Sequence, residues 1–231
     1  MSDNPTPQTV EPPVRKPHSA QDQVKANLIN ARRTSLLAVQ GNAEAVTRLD
    51  ARGYGQAGLE EGLAACDTAQ TTFDARQLAM DERSAASRIM KKLDKEAHED
   101  YAGFSRIATK VFQTNPTAKA AVVIPARDLK DQEKFLSNTT AAYNTALTRS
   151  TYLAALSKRG YTQEVLQAAL QKLQALSQAS AAFETAKAAA MRATQERDAA
   201  IKALTLWWSE FSATAQVVFK DRPDMVRMLE E

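Results

Sequence analysis

Cysteine occurs once in this chain, histidine twice and glycine seven times, and each scarcity closes off a class of protein. A single cysteine, Cys66, leaves no internal disulfide and no Cys-x-x-Cys pair for metal or redox chemistry. Asp67 follows it and no basic partner is near, so it reads as a half-buried helix residue. Histidine occurs only as His18 and His98, neither in the Glu-x-x-His spacing that helical-bundle metal sites use. His98 therefore reads as solvated. Aromatic residues make up 6% of the chain, too few for a typical β-sandwich. No stretch alternates Val, Ile, Thr and aromatics as a strand does; the one β-like run, residues 121–124, stops at Pro125.

Other absences concern partners and location. No apolar run approaches the roughly 20 residues that span a bilayer. Residues 1–5 show neither the basic nor the apolar region of a secretory signal. The expectation is a cytoplasmic protein without membrane insertion. Net charge is only +3, and Arg32-Arg33 and Lys91-Lys92 with Lys95 are short clusters broken by Asp94 and Glu96, which disfavours nucleic acid as a partner. No GxGxxG, phosphate-binding loop, GxSxG or HExxH is present. These residues single out no catalytic, cofactor-binding or metal-binding residue and no cofactor, and they lean against an enzyme without deciding it.

What is present is helix former. Five of the eight prolines fall before residue 18, and the remainder is rich in Ala, Leu, Gln, Glu, Lys and Arg. Residues 1–19 read as a Pro-rich flexible tail. Beyond it the chain repeats itself. Arg52-Gly53-Tyr54 recurs as Arg159-Gly160-Tyr161, a shift of 107. The same shift carries Leu59 and Leu63 onto Leu166 and Leu170, Tyr101 onto Trp208, Phe104 onto Phe211, and Ala108, Val111 and Phe112 onto Ala215, Val218 and Phe219. Pro116 falls on Pro223. A shared register of this kind marks a tandem duplication, with repeats at 20–119 and 128–231 and a linker at 120–127, packed as one domain.

Each repeat reads as a shorter helix A (21–51 and 129–158) followed by a long helix B. Gly53 and Gly160, each with Tyr behind it (Tyr54, Tyr161), are the corners between them; Pro116 and Pro223 stop the B helices, and a short helix follows at 224–230. In the second repeat no Gly or Pro interrupts residues 162–222. Phe183, Ala186, Ala190, Ala193, Arg197, Ala200, Leu204, Trp207, Phe211, Thr214 and Val218 continue a 3-4 spacing, the seam of a coiled coil. A straight helix of that length would run roughly 85–90 Å, about twice helix A. In the first repeat Gly55, Gly58, Gly62 and Gly103 predict a shorter, bent or weaker B helix. The fold class is thus all-α: an elongated antiparallel helical bundle or coiled coil.

The second repeat, through Arg159-Gly160-Tyr161, the long Ala-rich helix, Trp208 with Phe211, and Asp221-Arg222-Pro223, resembles a group of uncharacterised bacterial all-helical proteins. That resemblance implies a bacterial source and the helical fold, and carries no activity. Half of helix B lacks a partner within its own repeat, so the expected function is a non-enzymatic scaffold or protein–protein interaction module that self-associates, its partner a second copy or another protein. Tyr101, Phe104, Trp207, Trp208 and Phe211 are the candidate anchors for packing or for a partner. The alternative is a small-molecule-binding or enzymatic bundle with a pocket near Trp207 and Trp208.

Overall fold

A computed structural model describes residues 19–125 and 131–229. Most of the Pro-rich tail (1–18, with His18), residues 126–130 of the linker and of the second helix A, and Glu230 and Glu231 lie outside the described residues. Among those described, all regular structure is helical: α1 (Ala20–Gln40), α2 (Ala43–Asp50), α3 (Gln56–Val111), α4 (Pro116–Val122), α5 (Gln132–Thr148), α6 (Ser150–Ser157), α7 (Gln163–Val218) and α8 (Pro223–Arg227). No described helix is long and apolar enough to cross a membrane. The β-like run ends α4 and continues as extended chain, Val123 having φ −109° and ψ 113°. The stretch read as a linker is thus partly helical.

Local chemistry sets the helix ends. Ser19 caps α1 by accepting from the Asp22 N–H, Asn42 caps α2 through Glu44 and Ala45, and Asn115 and Asp131 cap α4 and α5. Gly53 and Gly160 take φ of 81° and 88°. At the first corner Tyr54 N–H donates to Leu49 C=O and Gly53 N–H to Asp50 C=O; at the second, Tyr161 donates to Leu156 and Gly160 to Ser157. Both corners are Schellman closures, which need a left-handed residue at that position.

Two expectations are corrected. Helix A is not continuous in either half: it breaks at Gly41-Asn42 and again at Arg149. The Asn42 side chain binds the backbone ahead of it and starts a new helix, and Arg149 adopts extended backbone with φ −95°. Helix B of the first half is not shortened by its glycines; α3 and α7 are each 56 residues long. At Gly62 the glycine serves contact, since a Cβ there would fall 2.2 Å from Cη2 of Trp207. Tertiary packing outweighs the propensity loss.

Two compact units form, one from residues up to Asp81 together with those from Ala189 onward, the other from Glu82–Ala188. Each takes one half of α3 and one half of α7. In the first unit α1 pairs with α3 through Asp22–Arg76 and Arg33–Asp67, a descending register, so the two helices are antiparallel. The same α1 pairs with α7 through Lys25–Asp198 and Arg32–Thr205, an ascending register, so those two are parallel. The α2–α8 end is tied by Arg48–Asp221 and Arg222–Glu44. Ile29, Leu36, Leu49, Leu59, Phe73, Leu204, Phe211 and Met225 make its core.

The second unit has the same plan with the long helices exchanged. His98–Phe135, Phe104–Tyr143 and Phe112–Tyr152 are ring contacts in ascending register, so α5 and α6 run parallel to α3. Its core gathers Tyr101, Phe104, Phe135, Tyr143, Leu156 and Leu166, closed by Ala118 and Val122 of α4. Helix A of each half therefore lies against both B helices, antiparallel to its own and parallel to the other. Every residue of the 3-4 seam from Phe183 to Val218 is buried or half-buried.

Arg197, the one charged residue in that seam, is 5% exposed. Its Nη1 and that of Arg76 bind the two oxygens of Asp22 at 2.8 and 2.7 Å. Burial alone would raise the Asp22 carboxyl; hydrogen bonds from Ser19 and Arg76 and the charges of Arg76 and Arg197 outweigh it and hold the group below its ordinary 3.8. A lowered folded-state value means the stabilisation is complete above pH about 4 and fades as pH falls through the folded value. Asp22→Asn is expected to cost about 3 kcal/mol at neutral pH by leaving two guanidinium groups short of charge, and to lose less further stability on acidification than the parent; urea melts at pH 7 and pH 3 measure both. Gly62→Ala should cost ~1–3 kcal/mol through the clash with Trp207. Gly53→Ala, with open space but positive φ, should cost ~1–2 kcal/mol through backbone strain alone, read from the same melts.

Candidate functional site

The five aromatic anchors separate into two sites, one in each unit. In the first unit Trp207 stacks on Phe211 at 5.1 Å with planes 15° apart. Tyr54 meets both rings edge-on, at 5.9 Å from Trp207 and 5.5 Å from Phe211. Trp208 tilts against Phe211 at 5.5 Å, and the Arg32 guanidinium lies 5.9 Å from the Trp208 ring centre, a cation–π contact. Phe211 is fully buried, while Trp207 and Trp208 are half-buried. Trp207 is seated on Gly62, and the corner residues Gly53 and Tyr54 deliver the ring that covers it.

In the second unit Tyr101 and Phe104 are buried outright, at 2% and 0% exposure. They are core residues, not a surface for a partner. Phe104 meets Tyr161 edge-on at 5.4 Å, as Phe211 meets Tyr54. Phe104 also meets Tyr143 at 4.9 Å. The Tyr101 hydroxyl accepts a hydrogen bond from the Ile124 N–H at 2.6 Å, which fastens the chain leaving α4.

Beside this cluster a cavity of about 480 Å³ opens, within the usual range for ligand pockets. Its wall is apolar: Val165, Leu166, Ala168 and Ala169 on α7 and Gly103 on α3. Tyr143 and Tyr161 reach it from α5 and from the second corner, and Asp100 and Lys172 stand at its edge, joined by a 2.7 Å ion pair. Tyr143 is 2% exposed. Burial pushes its phenol up first, and the nearby Asp100 carboxylate adds to the shift; the Tyr161 phenol is raised by the same two causes. Both hydroxyls therefore keep their protons at neutral pH, and neither makes a hydrogen bond among the described residues. Tyr143, Asp100, Ala169 and Lys172 do not stand out as site residues in the sequence. The signal was the 107-residue shift itself, which pairs Trp207 with Asp100 and Gly62 with Ala169, places where the halves diverge.

The remaining candidates serve the core. Cys66 is completely buried, not half-buried, and burial pushes its thiol up. His98 is not simply solvated: its ring stacks on Phe135 at 3.8 Å and its Nδ1 lies 2.9 Å from the Asp94 carbonyl. Among the described residues no group of three or more His, Cys, Asp and Glu gathers where a metal ion could sit. Pro116 and Pro223 occupy the first turns of α4 and α8. Compared with known proteins, the chain matches no family model, no curated protein and no solved structure.

The two buried phenols of the second unit should respond differently to loss of the hydroxyl. Tyr101→Phe strands the Ile124 N–H and is expected to cost about 1–2 kcal/mol. Tyr143→Phe removes a hydroxyl with no protein partner and should change stability by less than ~0.5 kcal/mol. Parallel chemical denaturation of the two variants checks the contrast.

Proposed function

We propose that this protein is a non-enzymatic binding scaffold, a duplicated helical unit in which the second half holds a small-molecule pocket. The duplication is supported by the corners 107 residues apart, by two B helices of equal length and by the matched Phe–Tyr contacts. One observation carries the binding role: two phenol hydroxyls without protein partners face an apolar-walled cavity. Neither hydroxyl is among the sealed, unpartnered polar atoms, so both are open to water, and a ligand would replace that water with its own polar group. Binding is favoured over catalysis because the charged groups at the edge, Asp100 and Lys172, neutralise each other, and the phenols are held protonated. The proposed pocket is lined by residues of the second unit, whereas the sequence led us to expect one near Trp207 and Trp208.

Protein-observed NMR with a fragment library tests the reading. Fragments should shift the signals of Tyr161, Ala169 and Gly103, and Ala169→Phe should abolish those shifts while leaving the melting curve cooperative. Shifts scattered over the surface, or unaffected by the filling substitution, would count against a pocket.

A second reading, self-association, draws on a different observation. Val24, Leu206 and Val217 in the first unit are 65%, 58% and 62% exposed. Its original motive is weaker, because the half of each B helix that its own helix A leaves bare is covered within the chain. Light scattering over a wide concentration range decides it: a dimer that Leu206→Lys with Val217→Lys dissociates supports this reading, and a monomer throughout removes it.

A further inference from the structure

The cavity of the second unit has a filled counterpart in the first, and the counterpart gives its shape. The 107-residue shift carries Tyr54 to Tyr161, Phe211 to Phe104, Gly62 to Ala169 and Trp207 to Asp100. In the first unit the Trp207 indole lies flat on Phe211, receives the edge of Tyr54 and presses on Gly62. In the second unit the Phe104–Tyr161 contact is kept at 5.4 Å. The short Asp100 side chain replaces the indole and pairs with Lys172. At the corresponding positions of the second unit an open cavity is bordered by Asp100, Tyr161 and Ala169, while Tyr143 and not an indole packs on Phe104.

We propose that this cavity binds a free planar bicyclic aromatic molecule of the indole type, bearing a ring N–H. The proposal rests on the pocket reading above and adds the ligand class. The flat shape follows from Trp207, whose ring occupies the matching position between Tyr54 and Gly62. The apolar faces of Val165, Leu166 and Ala169 suit an aromatic ring, and the edge of Tyr161 suits its face. The N–H follows from the acceptors at the opening, the carboxylates of Glu99 and Asp100, the latter shared with Lys172, and two phenol oxygens, with the Arg159 side chain also lining the site. Ala169 adds one methyl where the first unit has Gly62, so the floor is shallower, and a free ligand can sit higher than a tethered side chain.

Isothermal titration of the full chain with indole, 1-methylindole and an aliphatic alcohol of similar size provides the test. Indole should bind saturably, 1-methylindole roughly three- to ten-fold more weakly through the lost hydrogen bond, and the alcohol not measurably. Ala169→Phe should abolish indole binding. The double variant Asp100→Trp with Ala169→Gly should rebuild the packing of the first unit, raise the melting temperature and exclude indole. Equal binding of indole and 1-methylindole, or of the alcohol, overturns the ligand class. Indole binding that survives in a cooperatively folded Ala169→Phe, or in the double variant, overturns the location. If indole fails while other fragments still shift Tyr161 and Ala169, this proposal falls and the pocket reading stands; if no compound of any kind reaches those residues, both fall.

Discussion

A helix of 56 residues with an apolar stripe along its length is not a stable object in water, and the structure depends on how that stripe is covered. Helical propensity contributes little beyond what the unfolded chain gives up, so burial of one face decides whether such a helix persists. The helix that precedes each long one is too short to cover it. The chain solves this by pairing the two long helices and laying each short helix against both. Each unit is a bundle to which both halves of the sequence contribute, and neither half owns a complete core.

That arrangement explains a residue that looks out of place. A seam of Ala, Leu and Phe has an arginine in it, and a buried arginine is tolerable only when neutralised. Asp22, in the first turn of α1, neutralises Arg197 and Arg76 together, so the start of α1 is joined to both long helices at once. A buried pair of this kind adds little net stability over an apolar one, but it punishes misalignment. A helix that slid by one turn would bury an unpaired carboxylate, strand the Arg76 guanidinium and leave Arg197 with Asp198 alone.

The helical class, the two corners, the stops at Pro116 and Pro223 and the inward stripe were legible in the residues, because each follows from local rules. Gly53 and Gly160 are readable because a left-handed residue has few alternatives. The breaks at Asn42 and Arg149 were not legible: each is a choice of one backbone conformation among nearly equal ones, decided by a side-chain cap or by the packing of Tyr152 and Leu156. Gly62 misled for a related reason. Its cost is local and visible, while its benefit is a contact with Trp207, far along the chain. The cavity was missed because a pocket is defined by what is absent, and the residue responsible, Asp100, looks like any charged helix position until it is set beside Trp207.

The two units differ in how the chain supplies them. Residues 82–188 are contiguous, so a chain emerging from the ribosome has the whole second unit in hand before α7 is complete. The first unit must wait for Leu204, Phe211 and Met225 to be synthesised, although α1 and α2 are made before the second unit. During that interval Ile29, Leu36 and Leu49 have only half of α3 to rest on. The order of synthesis thus sets an order of assembly, in which the unit carrying the pocket is finished early and the unit at the two ends of the sequence closes last around the returning helix.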